Sequence, residues 1–467
     1  MPAIPSAPPS APPSRRRAGL LAALGLAACA LLPLAGPARA AEDPLPPVKH
    51  IWTITLENSE FLTNFGVGQV TAPYLARTLP SLGALVQGYY GTGHNSLDNY
   101  ISQTSGQGAN ANTKADCEEG SVLGGAQGVT FDADGQAIAG AGGGAALGCT
   151  FPAGVKSLAD QLDEHGVTWK GYMEDAAATS SGGRVSCAAG TPGNGPLYAR
   201  KHDPFVYYHS LTDRPNGFCE AHDVPLGTVS GAPSATAKET LASGPLLQDL
   251  ASEATTPAYS YLTPNLCNDA HDYVTCPDKM GGLQDASNWL QAVVPAILNS
   301  PAYKDGGLLI VTLDEGAGDA LACCNEPRGP NLAATEDNGS YVPGARTPAT
   351  QGGGNIGTVL ISPFIKPGTL DTTGQYNQYS YLRSMEDLLH LGPTAAIPGS
   401  DGLGHLGYAG RNAGAAPVSH YGRDIFTNYD AAAPAMPEAP WATLLPLTGL
   451  AMGGLLAAVA VRRRRTQ

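Results

Sequence analysis

Acidic and amide side chains stand directly after two β-rich apolar segments of the sequence. Glu57 and Asn58 follow the first segment, and Asp314 and Glu315 follow the second, without a polar spacer in either case. Carboxylate and amide oxygens are the ligands that hard divalent cations prefer. Asp and Asn also favour helix caps and turns, so each pair alone has a purely structural interpretation. The repetition of the arrangement favours one shared cation site.

A serine that could act as a nucleophile lies in the string GHNSLDNY at 93–100. Ser96 stands on a glycine-containing turn, and its hydroxyl could attack phosphorus if a metal lowered its pKa. Asn99, three residues later, could donate a hydrogen bond to a phosphoryl oxygen, and His94 is a further candidate to contact phosphate. Alone, the string is also typical of an ordinary loop rich in serine, asparagine and glycine.

Two further strings contain histidines that could take part in catalysis or metal binding. His271 and Asp272 end the string PNLCNDAHD, and a His–Asp pair can protonate a leaving oxygen or bind a metal. His202 lies in YARKHDP with two bases just before it. A solvated loop and a surface histidine are the structural alternatives, and these residues alone leave both open.

The elements that must position these residues alternate along the chain. Predicted strands cover 48–56, 167–172, 258–263, 307–313 and 355–362, and helical periodicity covers 283–299 and 380–391. This alternation predicts an α/β protein, a three-layer α/β/α sandwich with a mainly parallel central sheet. Ligands bind such sheets at the carboxyl ends of the strands, where the candidate residues lie. Long loops rich in Gly, Ser and Pro at 119–149, 187–235 and 316–354 extend over one edge.

Six strings, taken in order, resemble the bacterial phosphoesterase family of phospholipases C and acid phosphatases, a branch of the alkaline phosphatase superfamily. They are LEN at 56–58, HNSLDNY with SG at 94–106, WKGYMED at 169–175, PNLCNDAHD at 264–272, VTLDEG at 311–316 and YNQYSYLRSMEDLL at 376–389. The resemblance covers about residues 48–395. It implies an alkaline-phosphatase-like fold with long loops at the carboxyl edge.

The resemblance also implies a role for each candidate residue. The metal ligands would be Glu57, Asn58, Asp314, Glu315 and Asp272. Ser96 would attack phosphorus and form a phosphoserine that water later hydrolyses, and His271 would protonate the leaving alcohol. The residues that contact phosphate would be Asn99, His202 and His94.

One position departs from the family pattern. Many relatives carry a histidine just before the Tyr-Ser that opens the last helix, and this sequence has Gln378 there. Loss of an imidazole argues against a two-zinc site of the alkaline phosphatase type. We therefore predict a site for one divalent metal cation.

The predicted activity is hydrolysis of phosphomonoesters by an acid-phosphatase-like enzyme, with phosphoinositides among the candidate substrates. A phospholipase C acting on phosphodiester lipids is the alternative. A non-catalytic surface protein that uses the same fold for binding is an alternative of another class. The C-x-P-x-R string of sulfatases and the G-x-S-x-G string of serine hydrolases are both absent.

Charge excludes one class of partner. The net charge is -14, and residues 41–440 carry 40 acidic against 18 basic residues, because eight of the 26 bases lie in the terminal segments. Such a surface repels nucleic-acid backbones at long range, so we expect no nucleic-acid partner. A small-molecule or lipid phosphate ester remains the expected ligand.

The terminal segments predict export and a membrane tether. Residues 1–40 have the basic, apolar and A-x-A regions of a signal peptide, compatible with Sec or twin-arginine export. The phosphoesterase domain would span 41–429 and a Pro/Ala-rich linker 430–440. An apolar segment at 441–461 is long enough to cross a bilayer, and the basic tail at 462–467 would stay in the cytoplasm. Sortase attachment at LPLTG, residues 445–449, is the alternative to a tail anchor.

Cysteine usage agrees with export. Eight cysteines remain after the signal segment, an even number that predicts disulfides. Local pairs that join Cys117 to Cys149 and Cys267 to Cys276 are the simplest arrangement. The adjacent Cys323 and Cys324 are expected to pair with different partners.

Overall fold

A computed structural model describes residues 44–109, 113, 116, 130–131, 137–138, 150–151, 153–176, 197–230, 239–272, 281–324, 352–392 and 419–429. Its strands are β1 (His50–Leu56), β2 (Ala84–Val86), β3 (Tyr89–Tyr90), β4 (Thr130–Phe131), β5 (Ala137–Ile138), β6 (Trp169–Met173), β7 (Asp223–Pro225), β8 (Thr228–Ser230), β9 (Thr240–Ser243), β10 (Tyr259–Thr263), β11 (Gly307–Leu313), β12 (Thr358–Ile361), β13 (Thr369–Asp371) and β14 (Tyr376–Asn377). Its α-helices are α1 (Gly68–Thr71), α2 (Leu79–Leu82), α3 (Ser96–Ser105), α4 (Leu158–Glu164), α5 (His209–Thr212), α6 (Phe218–His222), α7 (Pro245–Asp249), α8 (Gly282–Asn299), α9 (Pro301–Lys304) and α10 (Gln378–Leu388). Tighter 3-10 turns lie at Arg200–His202 and Pro204–Tyr207, and π-helical turns at Leu62–Val67 and Tyr74–Thr78.

The central sheet has eight strands in the order β13-β2-β12-β11-β1-β10-β6-β7. β1 runs parallel to both of its neighbours, β10 and β11, and the parallel pairing continues through β6 to β7. Only β12 runs antiparallel to its two neighbours within this sheet. The predicted α/β fold with a mainly parallel central sheet is therefore confirmed.

Helices cover both faces of the sheet, as the side chains of β1 demonstrate. The ring of Trp52 packs against Tyr303 of α9 on one face, with 6.3 Å between ring centroids. On the other face, Thr53 Oγ1 lies 2.7 Å from the hydroxyl of Tyr381 in α10. All seven residues of β1 are buried, which is typical of a parallel strand between two helical layers. The arrangement forms three layers.

The terminal predictions fall outside the described residues. These are the signal segment at 1–40, the linker at 430–440, the apolar segment at 441–461 and the basic tail at 462–467. Within the described ranges, no helix combines the length and the apolar character needed to cross a bilayer.

The cysteines are oxidised wherever the structure describes them. Cys219 and Cys267 are each disulfide-bonded, and Cys323 bonds to Cys324. The expectation that these two adjacent residues have separate partners is therefore wrong. The backbone turns at this point, because Cys324 has a φ of +67°, and the Cα atoms are 3.8 Å apart. The predicted partners Cys117, Cys149 and Cys276 lie outside the described residues.

Two buried carboxyl groups hold the segment that carries His202. Asp203 follows this histidine and accepts a 2.6 Å hydrogen bond from the hydroxyl of Tyr198. Asp223, at the start of β7, is fully buried near Asp203. Burial raises the pKa of Asp223, and the neighbouring Asp203 raises it further. Burial also raises the pKa of Asp203. The folded chain therefore binds a proton at this pair more tightly than the unfolded chain.

The pair predicts a pH-dependent free energy of unfolding. Its stabilisation is complete below the unfolded carboxyl pKa and is lost as pH rises through the raised folded pKa. Asp223→Asn removes the charge at nearly constant size. At about pH 7 the variant should be more stable than the wild type by about 1 to 3 kcal/mol, and near pH 4 most of the difference should vanish. Urea unfolding at both pH values measures this.

The matched control is Asp213→Asn, which removes an exposed carboxylate from the same region. It should change the free energy of unfolding little at either pH. An Asp223→Asn protein that is no more stable than the wild type near neutral pH would contradict the account of the pair.

Candidate active site

The register of the central strands brings the two predicted acidic pairs together. β1 and β11 pair over their full length, from His50 opposite Gly307 to Leu56 opposite Leu313. Both strands therefore end at the same level, and Glu57 and Asp314 emerge side by side. The backbone N–H of Asp314 donates to the carbonyl of Leu56 at 2.9 Å, which extends the pairing by one residue.

Glu57 connects the candidate nucleophile to two aromatic side chains. Ser96 Oγ donates to Glu57 Oε2 at 2.7 Å, and the Tyr100 hydroxyl donates to Glu57 Oε1 at 2.7 Å. His202 Nε2 lies 3.2 Å from the same Oε1, and its ring stacks on Tyr100. Burial raises the pKa of Glu57, but the proximity of His202 and Lys201 and the bond from Tyr100 outweigh it. The net effect lowers the pKa to about 2.

Glu315 forms the second half of the cluster. Asn58 Nδ2 donates to Glu315 Oε1 at 2.7 Å, and His94 Nδ1 lies 2.5 Å from Glu315 Oε2. The backbone N–H of Glu315 donates to Asp314 Oδ1 at 2.6 Å. Burial raises the pKa of both Asp314 and Glu315, and the charge of Glu57 raises each further. The close carboxyl groups therefore repel one another when ionised, and a nearby positive charge would stabilise their ionised forms.

The donor set fits a hard divalent cation by its chemistry. Asp314 Oδ2 is buried without a hydrogen-bond partner in the described part of the chain. Carboxylate and amide oxygens surround it, and their mutual repulsion favours a bound cation. In the present side-chain positions, the described residues contain no group of three His, Cys, Asp or Glu side chains close enough together to hold a metal ion. Binding would therefore require Glu315 or Glu57 to exchange one of its present partners for the cation.

Asn99 shapes the loop that presents Ser96. Its Oδ1 accepts the backbone N–H groups of Thr92 and Gly93, and its Nδ2 donates to the carbonyls of Gly93 and Asn95. A Cβ at Gly93 would lie 2.3 Å from a carboxylate oxygen of Asp98, so a larger residue there would displace the Asp98 side chain. Contact between Asn99 and phosphate would require these loop bonds to break.

The structure does not bring His271 and Asp272 into the cluster. His271 is exposed and Asp272 half-buried, and within the described residues neither side chain hydrogen-bonds to Glu57, Asp314 or Glu315. Their backbone N–H groups donate to Asp269 Oδ1 at 2.9 and 3.1 Å. The loop therefore contributes no side-chain hydrogen bond from these two residues to the three carboxylates among the described residues.

Asp269 is the acidic residue of this loop that reaches Glu57. Its carbonyl accepts the Glu57 N–H at 2.6 Å, and its Oδ2 is buried without a hydrogen-bond partner in the described ranges. Burial raises the pKa of Asp269, and Glu57 raises it further. Sequence reasoning missed this residue although it lies in the string that ends in His271 and Asp272.

Lys201 and Asp116 form an ion pair beside the cluster, and the sequence did not predict it. Lys201 Nζ donates to Asp116 Oδ2 at 3.1 Å, and Asp116 Oδ1 accepts the N–H of Leu97 at 3.0 Å. Leu97 directly follows Ser96 in the first turn of α3. The positive charge of Lys201 acts on Glu57 and Glu315. The basic residue before His202 was the only sequence signal for this interaction.

Gln378 holds the end of β11 in place. It is fully buried at the start of α10, and its Nε2 donates to the carbonyls of Leu313 and Asp314 at 3.2 and 2.9 Å. Its Oε1 accepts the Tyr89 hydroxyl at 3.1 Å. The amide that replaces the expected histidine thus fixes the backbone that carries Asp314.

The chain is similar to known proteins over part of its length. A family model described as the Phosphoesterase family matches residues 69–392. The chain is 25% identical over 167 residues to a phosphate-repressible acid phosphatase of Penicillium chrysogenum, covering 36% of this chain and 32% of that protein. It is 26% identical over 165 residues to an acid phosphatase of Aspergillus fumigatus, covering 35% and 30%. The match thus spans about a third of each relative's length.

A solved structure is similar at lower identity. It is a protein in the alkaline phosphatase superfamily from Vibrio parahaemolyticus, with a TM-score of 0.40 and 14% sequence identity. The match covers 74% of this chain and 67% of that one.

Gln378→Leu tests the role of the buried amide. The variant removes the hydrogen bonds from the amide to two carbonyls and to the Tyr89 hydroxyl, so the free energy of unfolding should fall by about 1 to 3 kcal/mol. Urea unfolding measures the loss, and Gln248→Leu, at an exposed site, is the matched control. Equal stability of the two variants would contradict the assignment.

Proposed function

The chain belongs to the Phosphoesterase family, and on that premise we propose that it hydrolyses phosphomonoesters in the manner of an acid phosphatase. The observation that carries the proposal is the 2.7 Å hydrogen bond from Ser96 Oγ to Glu57 Oε2. It ties the only hydroxyl of the first turn of α3 to a cluster of buried carboxylates. The acid phosphatases to which the chain is similar support the monoester preference.

Ser96 is the nucleophile in this proposal. Its Oγ attacks phosphorus in line with the leaving alcohol and releases its proton to solvent, the P–O bond to the alcohol breaks, and a phosphoserine remains. Glu57, with its low pKa, is a weak proton acceptor, so it orients the hydroxyl more than it deprotonates it. A divalent cation held by Glu57, Asn58, Asp314 and Glu315 would supply the Lewis-acid chemistry that activates this hydroxyl.

Two donors beside Ser96 are suited to the phosphoryl oxygens. They are the Lys201 ammonium and the Leu97 N–H, and the Asp116 carboxylate bridges both. A phosphate group carries the same kind of oxygen acceptors and can take the place of this carboxylate. His94 and His202, buried against the carboxylates, complete the polar lining.

Proton return and water attack finish the cycle. His271, exposed on the loop after β10, is the proposed donor to the leaving alcohol. Water then attacks the phosphoserine, the P–O bond to Ser96 breaks, Ser96 Oγ takes up a proton that the water releases, and inorganic phosphate leaves.

Export is part of the proposal. Support comes from the signal-like segment at 1–40 and from the disulfide bonds of Cys219, Cys267 and the pair Cys323–Cys324. The membrane tether stays a prediction that rests on the apolar segment at 441–461 alone.

Ser96→Ala should abolish hydrolysis of p-nitrophenyl phosphate, with kcat reduced by a factor of about 10³ or more. The matched control is Ser105→Ala, a buried serine at the other end of α3 that hydrogen-bonds to the carbonyl of Ile101. It should retain most of the activity. Parallel assays with p-nitrophenyl phosphorylcholine separate monoester from diester hydrolysis. Turnover of the choline diester alone would make the chain a phospholipase C.

Cation binding has a readout that does not depend on activity. After chelation, a titration with Mn²⁺, Mg²⁺, Ca²⁺ or Zn²⁺ should raise the melting temperature by several degrees, since only the folded chain assembles the ligands. Asp314→Asn should remove most of this increase because it deletes a charge at the centre of the cluster. A melting temperature that no cation changes, or that rises equally in the Asp314→Asn protein, would contradict the metal site.

A further inference from the structure

A cavity of about 630 Å³ lies next to the carboxylate cluster and contains none of its side chains. Its walls include residues 60–63 after β1, Gln87, Gly88 and Tyr90 around β3, and Asp319 and Leu321 after β11. Small-molecule sites in proteins have volumes of about 300 to 1,000 Å³. The cavity is therefore large enough for an organic molecule of moderate size.

Two walls of the cavity continue along the chain from residues of the cluster. Glu60 is two residues from Asn58, and Asp319 is four residues from Glu315. An extended chain covers at most about 3.6 Å per residue, so these wall residues lie within about 7 and 14 Å of the cluster residues. The Ser59 N–H donates to the Glu315 carbonyl at 3.0 Å, which holds the two walls together.

Part of the lining is apolar. Phe61, Leu62, Tyr90 and Leu321 contribute to the walls. Leu62 exposes 73% and Leu321 42% of its surface. Large apolar side chains exposed around a cavity favour a ligand with an apolar body.

The charges of the lining have one sign. Glu60 and Asp319 line the cavity, and its walls contain no Lys, Arg or His among the described residues. Glu60 Oε1 accepts the N–H of Gly318 at 2.6 Å, and Asp319 accepts those of Leu321 and Asn355. A carboxylate has about four acceptor positions, so both can still accept from a ligand. The lining attracts an ammonium group and repels an anion.

Building on the proposed function, we infer that this cavity binds the alcohol part of the substrate. It selects phosphomonoesters whose alcohol has an aromatic or aliphatic body and a protonated amine at the far end. The phosphate lies at Ser96 and the apolar body between Phe61 and Tyr90. The ammonium group donates to Glu60 and Asp319.

Three aryl phosphates that share the same aromatic ring and the same phenolic leaving group test the inference. They are tyramine O-phosphate, 4-ethylphenyl phosphate and the phosphate ester of 3-(4-hydroxyphenyl)propanoate, which carry a positive, a neutral and a negative tail. We expect kcat/KM to fall in that order, by about tenfold from the first to the last. The double variant Glu60→Gln, Asp319→Asn should reduce this ratio to about twofold or less. Comparing substrates within one variant cancels any change in the chemical step.

Glu253→Gln is the matched control, because it removes an exposed carboxylate outside the cavity. It should leave the substrate ratio unchanged. Equal kcat/KM for the three esters, or a ratio that survives the double variant, would overturn the inference while leaving the phosphatase activity intact.

Binding of free tyramine to Ser96→Ala separates the cavity from the chemistry. Titration calorimetry should detect tyramine binding, and the double variant in the same background should bind about tenfold more weakly. No binding to Ser96→Ala, or equal binding to both proteins, would contradict the cavity site. Tyramine binding by a chain that hydrolyses none of the esters would support the site and reject the proposed function.

Discussion

The parallel pairing of β1 with β11 is the constraint on which the site depends. Because both strands end at the same level, Glu57 and Asp314 are forced side by side in the buried interior, with Glu315 one residue beyond. Carboxylates so placed repel one another, and burial removes the water that would screen them. The surrounding positive and hydrogen-bonding groups, such as Lys201 and His202, offset this repulsion without removing it. The residual negative charge favours a cation at this cluster, which is the basis of the proposed metal site.

The strands and their terminal residues were predictable from the sequence because both follow local rules. Apolar runs specify buried strands, and polar residues at their carboxyl ends specify the functional edge. Glu57, Asp314 and Ser96 therefore lie in one cluster, as expected. The contact between Lys201 and Asp116 joins residues 85 apart in the chain. No local pattern indicates such a pair, so only the folded structure reveals it.

Two features of the site that the sequence did not indicate have physical causes in the fold. Asp269 and Asp272 occur in one acidic string, and the loop turns at Ala270, which has a φ of +91°. Asp269, before this turn, lies close to Glu57, and Asp272, after it, is half-buried. The sequence alone does not show which of the two acidic residues lies next to Glu57. Gln378 was read as the loss of an imidazole. In the fold its amide satisfies backbone carbonyls after β11, a positioning role that glutamine fills and that residue type alone does not disclose.

The most direct measurement is mass spectrometry of the chain after an acid quench during turnover of a phosphomonoester. The account predicts one phosphate group on the peptide that contains Ser96, formed within the first turnover and lost as substrate is exhausted. The Ser96→Ala protein should carry none. Release of phosphate by a chain that never carries the group at Ser96, or carries it at another residue, would contradict the central claim.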